Sequence, residues 1–364
     1  MTTYPFSPDY ATPPGWTLEE KLEELSMSQA ELARRTGLST KHINQIVRGK
    51  VPITTEVAWR LERATGVPDR LWNNLESRYQ EHQARLAEEA DLAEQVDLLE
   101  LLPIASMVKL GILTKRADRV ARLREAFAFL GVSDRPAWNA TLDNYRVAFR
   151  KSQAHDSNDG AIAVWLRMGE LAASHIDCAP WSPDRFREAL IAVRALTRET
   201  DPAVWHPALV AECAAAGVCV VVTHEIEGAR THGATRWLRS GRPLIQLSLR
   251  FRWSDIFWFT FFHEAKHVLD GSKRAIYIEQ PNGDGEDRSE EERQADEFAS
   301  NFLIPKQRTR VLRTIGSLDD VELFAADLGI HPGIVVGRLQ HEDIWPHTHG
   351  NGLRQRLTLS ASAA

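Results

Sequence analysis

Apolar and polar residues recur along this chain with two different periods. From Thr17 to about residue 200 the apolar positions fall three and four apart, the spacing of helices that bury one face. In the first part, Ala33, Leu38, Ile43, Ile46, Val57 and Leu61 are spaced to share one small core. Thr17 with Glu20, and Ser28 with Glu31, have capping-box spacing, while Ser39 and Thr54 are placed to cap two further helices. The pattern predicts short helices with tight turns, the second from Gln29 to Thr36 and the third from Thr40 to Val47. Gly37 supplies the permissive backbone between them.

Residues 76–100 are strong helix formers of alternating charge, predicting a helical connector or dimerisation arm. The helical pattern continues from Pro103 to Thr200, with breaks near Gly111, Gly131, residues 157–160 and residues 180–183. Trp138, Trp165, Trp181 and Trp205 fit core packing better than a recognition surface. At Gly217 the period changes. GVCVVVTH, residues 234–238 and residues 243–249 predict three strands, with a turn at Ser240 and Gly241. Two more helices follow, one over residues 255–269 and one capped by Ser289. The expected fold is therefore mainly α with a small β-sheet, of the α+β class. Its expected parts are a flexible arm (1–15), an all-α domain (16–80), a helical middle (81–205), a domain that contains the small sheet (206–345) and a flexible tail (346–364).

Composition narrows this picture. Of 364 residues, 43% are apolar and 26% charged, ordinary values for a globular protein. No apolar run approaches the ~20 residues of a membrane-spanning helix, and the N-terminal residues lack the basic-then-apolar order of a secretory leader. Cys178, Cys213 and Cys219 are too scattered for a disulfide framework or a cysteine metal site, so reduced thiols and a cytoplasmic location are expected. The net charge is −6. Yet Arg34, Arg35, Lys41, Arg48 and Lys50 crowd a stretch in which Glu31 is the acidic residue, a local footprint for a polyanion.

The third helix would present Thr40, Lys41, Asn44 and Gln45 outward. Asn and Gln can read adenine edges, and Lys can read guanine or a phosphate. Arg48 and Lys50 at its far end suit the DNA backbone. A small bundle with a solvated polar face has the same helix spacing. The phrase SQAELARRTGLSTKHINQIVRGK resembles the XRE (Cro-like) helix-turn-helix family, and VPITTEVAWRLERATGVPDRLWNNLESRYQ resembles its HigA antitoxin subset. That resemblance implies double-stranded operator DNA as partner, bound by a homodimer on a palindromic site.

The second chemical motif is FTFFHEAKHVLDG. His263 and His267, four apart on a helix, point the same way, and Glu264 lies beside them. This is the H-E-x-x-H arrangement of zincins, able to hold Zn2+ and to place a general base. Two histidines satisfied by backbone carbonyls in a core would show the same five residues. A catalytic zinc needs a third ligand, and SEEERQADEFASNFLIP offers Glu292, with Asp296 on the same face to orient it or to accept an imidazole N–H. A solvated acidic helix end is the alternative, which Glu290 and Glu291 fit. Together the two stretches resemble the ImmA/IrrE metallopeptidase family, from Gly217 to Pro305 and more weakly through GIHPGIVVGRLQHE. The resemblance implies one zinc held by His263, His267 and a downstream Glu, with Glu264 as base. It departs at Lys266, where the family usually carries a small residue; a Lys there would crowd a strand, bring positive charge near the metal, or reach harmlessly to solvent. His224, His232 and Tyr277 are candidate oxyanion donors that no spacing rule separates.

The acidic segment from Glu279 is expected to be a loop between the two motif helices, and His347 and His349 to lie in a disordered tail. The expected function is a DNA-binding regulator carrying a zinc endopeptidase that cleaves a protein partner. The alternatives are a non-catalytic antitoxin or repressor whose peptidase-like domain binds a protein or ligand, and the proteolytic toxin of a toxin–antitoxin pair. No membrane association is expected.

Overall fold

The computed structural model describes residues 12–149, 158–238, 240–249, 252–271, 277–279 and 289–357. Most of the expected N-terminal arm, and the acidic loop over 280–288, lie outside these residues. The chain forms two compact units, Met1–Val96 and Asp97–Ala364. The helices read as a separate middle from residue 97 onward are thus part of the second unit.

The first unit contains α1 (Pro14–Glu24), α2 (Gln29–Thr36), α3 (Thr40–Val47), α4 (Thr55–Thr65) and the long α5 (Asp69–Glu94). Ser28, Ser39 and Thr54 cap α2, α3 and α4 by accepting the backbone N–H three residues on. Thr17 caps nothing, because α1 starts earlier, at Pro14. Proline suits a first helical position, where its missing N–H costs nothing. The second capping box is half formed: the Glu31 carboxylate takes Arg34 and Arg35 as ion-pair partners instead. Gly37 ends α2 in the left-handed conformation, at φ 70°. Leu32, Ile43, Ile46, Leu61 and Trp72 are almost fully buried in one core, with Leu38 packed at its edge.

The second unit opens with α6 (Ile104–Lys109), α7 (Arg119–Leu130), α8 (Arg135–Phe149), α9 (Asp159–Ala173), α10 (Pro183–Leu196) and α11 (Pro202–Ala215). Trp138, Trp165 and Trp205 are buried, so they are core residues. A four-stranded sheet follows: β1 (Cys219–Thr223), β2 (Gly233–Trp237), β3 (Pro243–Ser248) and β4 (Tyr277–Glu279), in the order β1-β3-β2-β4. β1 runs parallel to β3, pairing Cys219 with Leu244, while β2 is antiparallel to both β3 and β4. Val220, Val222, Ile245 and Leu247 face one core, which they share with Phe257, Phe261 and Phe262 of α12 (Ser254–Asp270). Cys219, Val221 and Leu244 face a smaller cluster with Ala173 at the end of α9. Covering both faces explains why β1 reads as an unbroken apolar run.

After the sheet come α13 (Glu290–Leu303), α14 (Thr309–Leu312), α15 (Leu318–Leu328) and α16 (Pro332–His341). The expected disordered tail is ordered through residue 357. Gln340 donates to the backbone carbonyls of His347 and His349, and Leu357 is buried. Arg354 lies over the Trp253 ring and pairs with Asp255 at 2.7 Å, with both side chains largely buried. Burial raises the Asp255 pKa although Arg354 opposes the shift. Gly337 of α16 permits this packing, since a methyl group there would lie 2.3 Å from Asp255 Oδ2. Composition hid the clasp, because a polar, histidine-containing segment reads as solvated until its partners are known.

Removing one member of a buried ion pair leaves the other charge uncompensated. Arg354→Ala is expected to destabilise the second unit by about 3 kcal/mol, read by denaturant unfolding, while the first unit is unaffected. A loss below about 1 kcal/mol would show that the pair behaves as a surface contact.

Candidate metal centre and nucleic-acid interface

α12 is apolar and aromatic on the sides that meet the sheet and α13. His263, Glu264 and His267 are nevertheless each at most 1% exposed within it. Helical spacing directs both imidazoles one way, and α13 brings Glu292 against them. Small residues let the helices approach: Ala295 and Ala299 are fully buried between them, and Phe262 stacks on Phe302 with ring centroids 4.8 Å apart. Ser289 caps α13 at the end that carries Glu292.

The three side chains converge on one point. His263 Nε2 lies 3.1 Å from His267 Nε2 and 3.1 Å from Glu292 Oε2. His267 Nε2 is 3.4 Å from Glu292 Oε1. An ion held tetrahedrally at about 2.1 Å sets its ligands about 3.4 Å apart, so the donor set has the right size for a zinc-like ion. Its chemistry fits too. Asp296 Oδ1 is 2.8 Å from His263 Nδ1. A proton on Nδ1 donated there leaves the Nε2 lone pair free for the shared point. Burial lowers the pKa of His267, against the opposing pull of Glu292, favouring the neutral ring a metal requires. For Glu292 burial works against ionisation, but hydrogen bonds and charge from His263 and His267 prevail and hold its carboxyl well below the usual range.

Glu264 is fully buried beside this cluster. Two β2 residues that no sequence motif indicates shape its surroundings. Thr235 donates its hydroxyl to the Glu264 backbone carbonyl at 3.0 Å. A methyl group on Gly233 would lie 2.8 Å from Glu264 Oε1 and 2.6 Å from the Thr260 methyl. Pairing of β2 with β3 brings Gly233 here, and that register is not legible as a spacing in the chain. Lys266 pairs with Asp270 one turn along α12, so its charge is neutralised on the helix surface. Of the three oxyanion candidates, His232 is buried next to Gly233, His224 is exposed, and the Tyr277 side chain lies outside the described residues.

In the first unit, α3 presents Thr40 and Lys41 to solvent, with Arg48 and Lys50 exposed just beyond its end and Asn44 and Gln45 half-buried. Asn44 donates to Gln29 Oε1 at 3.3 Å, linking the start of α2 to the middle of α3; sequence spacing had not indicated Gln29. Glu31 pairs with both Arg34 and Arg35 and offsets one of their two charges, so the stretch stays positive, with Lys41, Arg48 and Lys50 grouped around α3 and its exit.

Residues 18–72 match the helix-turn-helix family model, and residues 219–340 match that of the IrrE N-terminal-like domain. An uncharacterized HTH-type transcriptional regulator of Escherichia coli (strain K12), YddM, is 31% identical over 64 residues, 18% of this chain and 68% of that protein. Antitoxin HigA of Pseudomonas aeruginosa, solved with the higBA promoter, is 35% identical over 21% of this chain and 86% of its own, at a TM-score of 0.21. A putative antidote protein of a plasmid maintenance system from Nostoc punctiforme is 30% identical over 24% of this chain and 93% of its own, at a TM-score of 0.23. Among the described residues, no helix is long and apolar enough to cross a membrane.

If Asp296 holds the His263 ring, Asp296→Ala should weaken affinity for added zinc roughly 10- to 100-fold, measured by competition with a chromophoric chelator. Unchanged affinity would reduce Asp296 to a surface acid.

Proposed function

The chain is a helix-turn-helix protein that also carries an IrrE N-terminal-like domain, and from that premise we propose that it is a DNA-binding regulator with a zinc-dependent endopeptidase acting on a regulatory protein. The observation that supports the peptidase most is the convergence of two imidazole nitrogens and a carboxylate beside a buried glutamate. A purely structural metal site has no use for that glutamate.

In this reading His263, His267 and Glu292 hold the ion and Asp296 fixes the His263 tautomer. The bound ion supplies a Lewis acid that activates water and polarises a carbonyl. Glu264 takes a proton from the attacking water and hands it to the departing amine. Gly233 and Thr235 keep the Glu264 backbone and carboxylate in register with the imidazoles. Burial of the group strengthens its interaction with developing charge.

The first unit binds operator DNA in the cytoplasm as a homodimer on a two-fold site. Asn44 and Gln45 read base edges in the major groove, with Thr40 beside them. Arg48 and Lys50 hold phosphates, and Lys41 contacts either.

Elemental analysis of the purified protein is expected to find about one zinc per chain, lost in His263→Ala and Glu292→Ala. Glu264→Gln should keep the zinc and stop cleavage of proteins encoded beside this gene. Zinc without cleavage of any of them would favour a binding module over a peptidase; no zinc even after supplementation would remove both. For DNA, Asn44→Ala should cost ~1–3 kcal/mol at one base position. Lys50→Ala should instead weaken binding evenly across sequences and reduce the salt dependence. Equal losses on specific and random DNA for Asn44→Ala would argue against base reading by α3.

A further inference from the structure

The loop after α9 brings Cys178 Sγ to within 3.1 Å of Cys219 Sγ. Cys219 begins β1 and is fully buried in the small cluster with Ala173, Val221 and Leu244. Cys178 is half-buried at the edge of that cluster. Contacts other than the sulfurs set this approach. Ala179 N–H donates to Ala214 O at 2.9 Å, Ser182 N–H to Ala216 O at 3.1 Å, and Arg242 to Ile176 O at 3.2 Å. Gly217, at φ 88°, backs onto the same loop so closely that a methyl group there would lie 2.5 Å from the Trp181 backbone nitrogen. The third thiol, Cys213, is buried in the main core.

We propose that Cys178 and Cys219 form a reversible redox pair that closes to a disulfide on exposure to a low-molecular-weight disulfide. Exposure sets the order of steps. The Cys178 thiolate attacks one sulfur of the small disulfide, its S–S bond breaks, and one half leaves as a thiol after taking a proton. Cys219 then loses its proton and attacks the Cys178 sulfur of the mixed disulfide, expelling the second half. Two protein thiols are oxidised to one disulfide and the reagent is reduced to two thiols. Burial, followed by the contact with Cys178, pushes the Cys219 thiol up to about 12, while the Arg242 charge pulls it down. The second step therefore accelerates as pH rises.

The cross-link closes a loop that contains α10 and α11. α10 carries Arg194, whose guanidinium donates to the carbonyls of Phe302, Leu303 and Leu328. Oxidation thus braces the helix that holds the C-terminal end of α13. This inference stands apart from the peptidase reading, because it uses the opposite face of the sheet and no metal.

The test treats the full-length protein with glutathione disulfide at mildly alkaline pH and follows intact mass and thermal unfolding. The expected product is lighter by about 2 Da, yields a Cys178–Cys219 linked peptide, and returns to the parent with dithiothreitol. Its thermal midpoint should rise by roughly 5–10 °C. Cys213→Ser should behave like the parent. Cys219→Ser should stop at a glutathione adduct on Cys178, and Cys178→Ser, altered on the half-buried loop, should form no cross-link. A parent protein that stops at the Cys178 adduct, stays unreacted, or links through Cys213 would overturn the proposal.

Discussion

Two imidazole nitrogens and a carboxylate drawn to within hydrogen-bond distance inside a protein repel one another unless a proton or a cation lies between them. Much of the second unit is arranged around that constraint. The pitch of α12 aims His263 and His267 together, and a helix one residue out of phase would turn both away from Glu292. α13 closes the cluster only because Ala295 and Ala299 let it approach and Phe302 stacks on Phe262. At its far end its last carbonyls are taken by Arg194. The sheet contributes from behind, where Gly233 leaves room for the Glu264 carboxylate.

Those parts of this arrangement that depend on local periodicity were legible in the amino-acid sequence. The bounds of α2 and α3 followed from Ser28, Gly37, Ser39 and the apolar spacing, because caps and helical faces are decided within a few residues. The same holds for the three longer strands, for His263 and His267, and for Glu292 with Asp296 one turn further on. What was not legible depends on partners distant in the chain. Gly233 and Thr235 matter through strand register and a helix laid across it. The ordered segment after Trp345 looked disordered because its anchor, Asp255, is 99 residues from Arg354. Thr17 misled through a local rule, since Pro14 offered an earlier start for α1.

The first unit shows how far charge counting can carry a functional argument. Five basic residues against one acidic one suggested a local footprint for a polyanion. Glu31 pairs with two of the five and offsets one of their charges, while Lys41, Arg48 and Lys50 are grouped around one helix and its exit. Cations grouped at one helix end beside half-buried amides favour a defined docking register over a diffuse polyanion surface, since phosphate contacts fix orientation and amide groups discriminate bases.

The Asp255–Arg354 clasp has a consequence for the order in which the protein is made. Every core contact of the first unit joins residues within its first 96 positions, so that unit can fold while synthesis continues, as domains generally do. Helix α12 is different. Its first turn carries Asp255, whose buried ion-pair partner Arg354 lies 99 residues further along the chain. A nascent chain can therefore complete its helix-turn-helix unit before both members of the Asp255–Arg354 pair exist, and the second unit reaches its full stability only once translation has passed that arginine.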